Sequence, residues 1–217
     1  MGIAESFSGT NTPGLLIIIS GPSGVGKNTV LNKLLAKFGD LCYSVSATTR
    51  KPRPGEIDGV DYFFYDQAGF QKLIDEDKLI EWAKFCGNYY GTPRQFIDEK
   101  IKLGIDVVLD VDIQGAAQIR RTMPSAIKIF LVPPSWATLR ERILTRGAES
   151  AEEVERRLCA AIEELKEVVN YDYVVCNDDL DQAVTIIGGI IMAEKAKVAR
   201  QLPQLSYFLN KLKVEDQ

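Results

Sequence analysis

The sequence predicts an α/β fold in which a five-stranded parallel sheet is flanked by helices. Five short apolar segments of the 217-residue chain alternate with segments whose apolar residues recur every three or four positions. This alternation is typical of parallel sheets that are covered on both faces. A glycine-rich turn follows the first apolar segment, and one mixed stretch, residues 46–92, interrupts the alternation. Ligands of such sheets bind at the carboxyl ends of the strands, so we expect a site there.

The first apolar segment, Leu15 to Ser20, leads through the turn GPSGVGKNT into a helical pattern. A glycine-rich turn between a strand and a helix leaves backbone N–H groups free to bind phosphate at the positive end of the helix dipole. Lys27 adds a mobile cation for the β- and γ-phosphates. The turn matches the pattern G-x-x-x-x-G-K-[S/T] except at its last position, Asn28. We expect nucleotide phosphates to bind at Gly21, Pro22, Ser23, Gly24, Val25, Gly26, Lys27, Asn28 and Thr29.

The next part of the chain predicts a small unit of strands around one helix, residues 46–92. The segment from Cys42 to Arg50 has strand composition in its first half, and KPRPGEIDG is rich in proline and glycine, which is typical of exposed loops. The remaining predicted elements are a strand at Val60–Tyr65, a helix at Gln67–Asp77, and a hairpin that begins with Leu79–Phe85 and turns at Gly87-Asn88.

The α/β alternation resumes after this unit. Ser150 and Glu153 form a capping-box pattern, and Gly188-Gly189 predicts a weak point of about 1 kcal/mol per glycine in the last long helix. The predicted elements are a helix from Pro93 to Leu103, a strand from Ile105 to Asp112, a helix from Gln114 to Arg121, a strand from Ile127 to Val132, helices starting at Ser135 and Ser150, a strand from Tyr173 to Cys176, and a helix from Asp179 to about Arg200.

The composition argues against several classes of protein. A net charge of −4 argues against a general nucleic-acid binder, and no apolar run reaches the length of a membrane span. The absence of histidine removes the commonest general base and zinc ligand, so any chemistry must use Lys, Arg, Asp, Glu and bound cations. Four cysteines without a C-x-x-C pair predict reduced thiols, and therefore a cytoplasmic protein.

Acidic side chains are candidates for a site at the carboxyl edge of the sheet. Asp110 and Asp112 end a buried strand, and acidic strand ends that follow a phosphate loop serve a metal or a ligand. The same edge carries Ser46 and Asn177. Glu81 lies in the otherwise apolar run LIEWAKF, so its carboxylate either faces solvent at a sheet edge or points into a pocket.

Arginines form two clusters that suit phosphate, because a guanidinium binds an oxyanion through two parallel hydrogen bonds. Arg50 and Arg53 lie in the loop TTRKPRPG, whereas Arg142 and Arg146 share one helix face at spacing i, i+4, and Arg157 follows on the next helix. Phosphoryl transfer requires several cations around the γ-phosphate. A solvated basic surface, with nearby glutamates as partners, remains the alternative for both clusters.

Five stretches together resemble the guanylate kinase family: GPSGVGK, SVSATTRKPRPGEIDGVDYFF, LIEWAKFCGNYYGT, LDVDIQG and VCNDDL. Their order and spacing fit from about Leu15 to about Lys195. The block Ser44–Tyr62 with Glu81–Thr92 is the most specific part, because it separates this family from adenylate and thymidylate kinases. The resemblance implies a P-loop nucleoside-monophosphate-kinase fold that transfers the γ-phosphoryl group of ATP to GMP, and to dGMP, with Mg²⁺ as cofactor.

The resemblance also implies roles for segments and residues. An ATP-binding core would comprise 14–45, 93–134 and 169–200, with a GMP-binding insertion at 46–92 and a helical lid at 135–168. Residues 1–13 and 201–217 lie outside the family pattern, as a flexible lead-in and a tail. The implied contacts of GMP are Ser46, Arg50, Arg53, Tyr62, Glu81, Tyr90, Thr92, Asp110 and Asp112. The implied catalytic cations are Lys27, Arg50, Arg142, Arg146 and Arg157, and Asn177 would lie near adenine.

The chemistry of the residues agrees with guanine as the base. Guanine presents donors at N1 and N2, which a carboxylate at Glu81 accepts, and an acceptor at O6, to which hydroxyls at Ser46 and Thr92 donate. Adenine reverses the polarity at these positions, so the same pocket would leave buried groups unpaired. No general base is evident, and none is needed where an anionic phosphate is the nucleophile and positioning dominates.

Three questions stay open at this level. Asn28 replaces the usual Ser or Thr, so Mg²⁺ is held mainly by ATP and water, with Asn28 or Thr29 as the candidate side chain. Two alternative functions remain. The first is that of a scaffold module of this fold, which binds phosphorylated peptides, and the second is that of another nucleoside monophosphate kinase. The intact phosphate loop argues against the first, and Ser46 with Glu81 argues against the second. The sequence does not distinguish a monomer from a homodimer.

Overall fold

The computed structural model describes residues 12–145, 151–203 and 205–206. Its central sheet has five strands, all parallel, in the order β2-β7-β1-β8-β9, as the sequence predicts. A second, four-stranded sheet has the order β4-β3-β6-β5. The strands are β1 (Leu16–Ser20), β2 (Leu41–Tyr43), β3 (Ala47–Thr48), β4 (Phe63–Phe64), β5 (Leu79–Phe85), β6 (Asn88–Pro93), β7 (Asp106–Asp110), β8 (Ile127–Val132) and β9 (Tyr173–Cys176).

Helices cover both faces of the central sheet. One apolar cluster joins β1 and β8 to the first and last long helices, and a second joins β1 and β7 to the third and fourth helices. These two clusters form the core and hold the carboxyl ends of the strands in place. The helices are α1 (Lys27–Lys37), α2 (Gln67–Asp75), α3 (Arg94–Lys102), α4 (Ile113–Thr122), α5 (Trp136–Thr145), α6 (Ala151–Lys166) and α7 (Leu180–Lys195).

The segment from Cys42 to Arg50 is divided between the two sheets. Its first residues belong to β2 of the central sheet, whereas Ala47 and Thr48 form β3 of the second. The strand predicted at Val60–Tyr65 is reduced to two residues, because Asp58 and Asp61 bind backbone N–H groups and hold the preceding residues in a turn.

Several predicted boundaries were wrong by one to five residues. The hairpin turns at Cys86-Gly87, both with positive φ, so Asn88 already belongs to β6. Asp112 is not part of a strand: it caps α4 by accepting a hydrogen bond from the Gly115 N–H at 2.7 Å. α7 ends at Lys195 rather than Arg200, and a separate helical segment covers 198–203. The predicted cap at Ser150 lies outside the described residues.

Gly188 is a packing position rather than a weak point in α7. A Cβ at this residue would lie 2.3 Å from the Phe38 ring at the end of α1, whereas a Cβ at Gly189 meets nothing within 4 Å. The missing side chain therefore lets α7 approach α1 closely. Of the two glycines, Gly189 alone is a weak point of the kind that the sequence predicted, because no packing contact requires a glycine there.

Among the residues that the structure describes, no helix is both long and apolar enough to span a bilayer.

Candidate functional site

The turn between β1 and α1 forms an open loop of backbone donors. Gly24 and Gly26 have φ values of 87° and 95°, which side-chain-bearing residues rarely adopt. Gly26 is the N-cap of α1, so the free N–H groups of the first helical turn point into the loop. The Lys27 Nζ donates to the Gly21 carbonyl at 2.8 Å and thereby links the end of the loop to its first residue.

The α5 arginine predicted as a catalytic cation contacts backbone carbonyls. Arg142 Nη1 donates to the carbonyl oxygens of Val25 at 3.3 Å and Asn177 at 3.1 Å, and its Nη2 donates to Asn177 at 3.1 Å. The buried Asn177 side chain itself donates to the Val25 carbonyl at 2.7 Å. These bonds link α5 and the end of β9 to the phosphate loop. Arg146 lies outside the described residues.

α6 also contacts the phosphate loop, through two hydrogen bonds that meet at Ser23. The Arg157 guanidinium donates to the Ser23 Oγ at 2.9 Å, and the Ser23 N–H donates to a carboxylate oxygen of Glu164 at 3.1 Å. Arg157 and Glu164 are seven residues apart, which is two helical turns, so they share one face of α6. Sequence reasoning missed Glu164, although its spacing of seven residues from Arg157 indicates that both side chains lie on the same helix face.

A first cavity, of about 360 Å³, opens between the phosphate loop, α5 and the loop after β9. Its lining combines loop glycines, a hydroxyl on α1 and the polar residues that follow β9. The residues are Gly24, Gly26, Thr29, Arg142, Thr145, Asn177, Asp178 and Leu180. Two of the predicted ATP contacts outside the glycines, Thr29 and Asn177, are therefore brought together here with Arg142, which was predicted as a catalytic cation.

A second cavity, of about 470 Å³, lies on the other side of α1, between the two sheets. It brings together the seven predicted site residues Asn28, Ser46, Tyr62, Glu81, Tyr90, Asp110 and Asp112. Sequence reasoning missed Tyr43 and Phe85, which line the same cavity. Burial, with the nearby charge of Asp110, raises the pKa of Tyr43 to about 12.

Asn28 and Thr29 face different cavities. Asn28 lines the second cavity, together with Asp110, whereas Thr29 lines the first. Successive residues of a helix are rotated by about 100°, which explains the division. The two candidate side chains for Mg²⁺ therefore do not compete for one position.

Glu81 is the central carboxylate of the second cavity. The buried Thr92 hydroxyl donates to its Oε1 at 2.6 Å, so the single hydroxyl proton of Thr92 is not available to another acceptor in this conformation. Burial raises the pKa of Glu81 to about 7, the hydrogen bond from Thr92 opposes the shift, and the charge of Asp112 adds to it. Glu81 therefore titrates near neutral pH.

Asp110 ends β7 close to Lys27. Burial raises the pKa of Asp110, the positive charge of Lys27 lowers it, and Asp112 raises it further. The acidic group at the strand end thus lies within electrostatic range of the phosphate-loop cation. It lines the second cavity, on the side where that cavity approaches the loop.

Arg50 is held by an acidic residue that sequence reasoning missed, Glu56. Arg50 Nη1 and Nη2 donate to the two carboxylate oxygens of Glu56 at 2.9 and 2.8 Å, and the Arg53 N–H donates to the same carboxylate at 2.7 Å. The hydrogen bonds from Arg50 and Arg53 lower the pKa of Glu56 to about 2. The Arg50 guanidinium also lies 5.2 Å from the centre of the Tyr62 ring. Its orientation is therefore fixed before any phosphate binds.

Three predicted GMP contacts do not line the second cavity: the Arg50 guanidinium is bonded to Glu56, the Arg53 side chain is exposed in the loop, and the Thr92 hydroxyl donates to Glu81. Among the described residues, no cluster of three or more His, Cys, Asp or Glu side chains is arranged to hold a metal ion.

Comparisons with known proteins identify the relatives of the chain. Residues 14–194 match the guanylate kinase family profile. The chain is 50% identical over 188 residues to a guanylate kinase of Desulfitobacterium hafniense, which covers 87% of this chain and 94% of that protein. It is 51% identical over 187 residues to a guanylate kinase of Caldanaerobacter subterraneus, covering 86% and 91%. The crystal structure of guanylate kinase from Anaplasma phagocytophilum superposes with a TM-score of 0.67 at 34% identity, covering 87% and 90%.

Proposed function

Because the chain belongs to the guanylate kinase family, it is an ATP:GMP phosphotransferase, and we propose that its two cavities divide the substrates between them. ATP occupies the first cavity with its phosphates in the glycine loop, and GMP occupies the second. The cavities flank α1, and each is lined by the glycine-loop stretch, through Gly24, Gly26 and Thr29 in the first and Asn28 in the second, so the two nucleotides approach each other there, as direct transfer requires. In this assignment 14–45, 93–134 and 169–200 form the core, 46–92 the GMP-binding insertion, and 135–168 the lid.

The observation that carries the choice of GMP is the Glu81 carboxylate, held by Thr92, in the cavity that Asp112 also lines. Ionised Glu81 accepts from N1–H and N2–H₂ of guanine, and Asp112 is placed to accept from the same edge of the base. Thr92 contributes by orienting Glu81, which leaves Ser46 as the hydroxyl for O6. The amino group of adenine would face a donor here instead of an acceptor.

The GMP phosphate is bound by the arginine loop. Glu56 accepts from Nη1 and Nη2 of Arg50, and the Lys51 carbonyl accepts from Nη1 at 2.8 Å, which leaves one Nη2–H and the Nε–H; Arg50 also interacts with the Tyr90 hydroxyl. We assign those groups, with Arg53, Tyr62 and Tyr90, to the phosphate. Arg53 reaches it by movement of its exposed side chain, which the anchoring of its N–H to Glu56 permits.

Positioning and charge neutralisation account for the transfer step. The phosphate of GMP is already an anion and attacks without a general base, and Lys27, Arg142 and Arg157 neutralise the transferring group and ADP. Arg142 and Arg157 are held at the loop by Asn177 and Ser23, so little rearrangement separates them from the phosphates. We include Arg146 with them from the family pattern.

Mg²⁺ fits this site as a companion of ATP rather than as a resident of a protein cage. The oxygen donors, of the kind that Mg²⁺ prefers, are few and lie in separate cavities: the Thr29 hydroxyl in the first, and the Asn28 amide oxygen and the Asp110 carboxylate in the second. Its remaining ligands are then ATP oxygens and water. When bound, Mg²⁺ neutralises charge on the β- and γ-phosphates.

We place the protein in the cytoplasm, for which its four unpaired cysteines give support: Cys86, Cys159 and Cys176 are exposed and Cys42 is partly so.

A coupled assay of ADP formation with GMP, AMP, CMP and UMP as acceptors tests the function. We expect GMP to exceed the others in kcat/KM by several orders of magnitude, because each competitor leaves Glu81 or Ser46 facing a group of the wrong polarity. Turnover of AMP, CMP or UMP at a rate equal to that of GMP would contradict the proposal.

A further inference from the structure

β5 is an edge strand of the second sheet, yet its outer backbone groups are engaged by side chains of α4. The Gln118 amide accepts from the Trp82 N–H at 3.0 Å and donates to the Trp82 carbonyl at 2.9 Å. One helical turn later, the Thr122 hydroxyl donates to the Ile80 carbonyl at 2.8 Å. Gln118 thus satisfies both backbone groups of one residue, as a neighbouring strand would.

These three hydrogen bonds flank Glu81 in the sequence. Ile80 and Trp82 are its neighbours on β5, so α4 fixes the backbone on both sides of the carboxylate that contacts the base. The start of α4 carries Asp112 as its N-cap, and a Cβ at Gly115 would lie 3.1 Å from Oε2 of Glu81. Both carboxylates of the guanine pocket therefore take their positions from one helix.

We propose that Gln118 is a positioning residue for base selection, which acts by holding β5, and so Glu81, at a fixed distance from Asp112. The inference rests on the proposed GMP site and adds to it a residue outside the cavity lining. Thr122 supports the same strand from the next turn. Gln118 lines neither of the two cavities, so its effect passes through the Trp82 backbone to the adjacent Glu81.

The 2-amino group of guanine is the part of the substrate that should report this role. IMP has the same phosphate, ribose and N1–H as GMP but lacks the N2–H₂ donors. Two carboxylates accept from N1 and N2 together only when their spacing is right, so a loosened β5 weakens GMP binding more than IMP binding. Contacts to the phosphate, which both nucleotides share, cancel in the comparison.

Calorimetric titration of GMP and IMP into the ATP-free protein tests the proposal. The variant is Gln118→Met, which keeps the side-chain length but removes both hydrogen bonds, and Thr122→Val removes the bond to Ile80. The matched control is Gln71→Met, on α2 of the same unit, where the glutamine makes only an exposed hydrogen bond to Asp75. Thermal unfolding of each variant is measured alongside.

We expect the ratio of the IMP and GMP dissociation constants to fall about fivefold in Gln118→Met, in line with the loss of two partly exposed hydrogen bonds. Thr122→Val should shift it in the same direction and Gln71→Met should leave it unchanged. A purely structural role would lower the unfolding temperature and leave the ratio of dissociation constants unchanged, and that result would overturn the inference. If Gln118→Met misfolds, Thr122→Val provides the same test, because an unchanged ratio in that variant would also overturn the inference. Equal binding of GMP and IMP by the unaltered protein would instead refute the proposed guanine pocket, and the inference with it.

Discussion

Lowering the pH from 8 to 6 should weaken GMP binding about tenfold through Glu81 alone. Burial raises the pKa of Glu81 to about 7 in the empty cavity, and only the ionised form accepts both N1–H and N2–H₂ of guanine. The apparent dissociation constant scales as one plus the ratio of protonated to ionised carboxyl. That factor is about 1.1 at pH 8 and about 11 at pH 6.

Titration calorimetry of GMP at pH 6, 7 and 8 with the unaltered protein and with Glu81→Gln measures this effect. The second ionisation of the GMP phosphate, near pKa 6, also contributes to the pH dependence, but it contributes equally in both proteins. The variant should bind GMP more weakly at every pH and follow the shallower curve of the phosphate alone. Parallel pH curves for the two proteins would refute the reasoning.

The raised pKa of Glu81 also affects stability, in the direction opposite to its effect on binding: as the pH rises, GMP binding strengthens but the free energy of unfolding falls. The folded protein holds the Glu81 proton more tightly than the unfolded chain, in which the pKa of Glu81 lies near its ordinary value of 4.5. The contribution of Glu81 to the free energy of unfolding is therefore complete below pH 4.5, declines as the pH rises to about 7, and is constant above that. Urea unfolding of the ligand-free protein and of Glu81→Gln should show a difference that changes only within this window.

Three further predictions concern the phosphate loop and the helix packing. Lys27→Met should lower kcat at least about a hundredfold with an unchanged circular dichroism spectrum, and near-normal activity would contradict its role. Asn28→Ala should retain most activity across a Mg²⁺ titration, whereas Thr29→Ala should lose a charged hydrogen bond of about 1.5–3 kcal/mol. If Asn28→Ala instead loses activity that excess Mg²⁺ restores, while Thr29→Ala has no effect, then Asn28 is the metal ligand. Gly189→Ala should raise the free energy of unfolding by about 0.5–1 kcal/mol and Gly188→Ala should lower it, and equal effects would show that the aromatic contact is not limiting.

The sequence predicted the central sheet well because its signals are local. β8 and β9 begin and end where their apolar runs predict, since Pro133-Pro134 ends the first run and the second lies between Asp172 and Asn177. The phosphate loop is equally well predicted, because its glycines are required by backbone angles that other residues rarely adopt.

The parts that were missed depend on contacts between distant segments. Glu56 looked like one more charge in an exposed loop, and only the fold places it against the Arg50 fork. Glu164 meets Ser23 across 141 positions of sequence. The sequence predicted a weak point at Gly188 because helix propensity contains no information about the Phe38 ring that packs against this residue. Sequence periodicity reports the face that a residue lies on, not its partner on another element.

The two ends of the 46–92 unit leave it side by side, because β3 and β6 are antiparallel neighbours with Ala47 opposite Gly91. The chain enters through the short link after β2 and returns directly into α3, so the central sheet is uninterrupted by it. Such a junction allows the 46–92 unit to vary in length and sequence without a change in the strand order of the central sheet. α4 limits that freedom, because its side chains engage β5, and a unit exchanged between relatives must carry a strand that those side chains still fit.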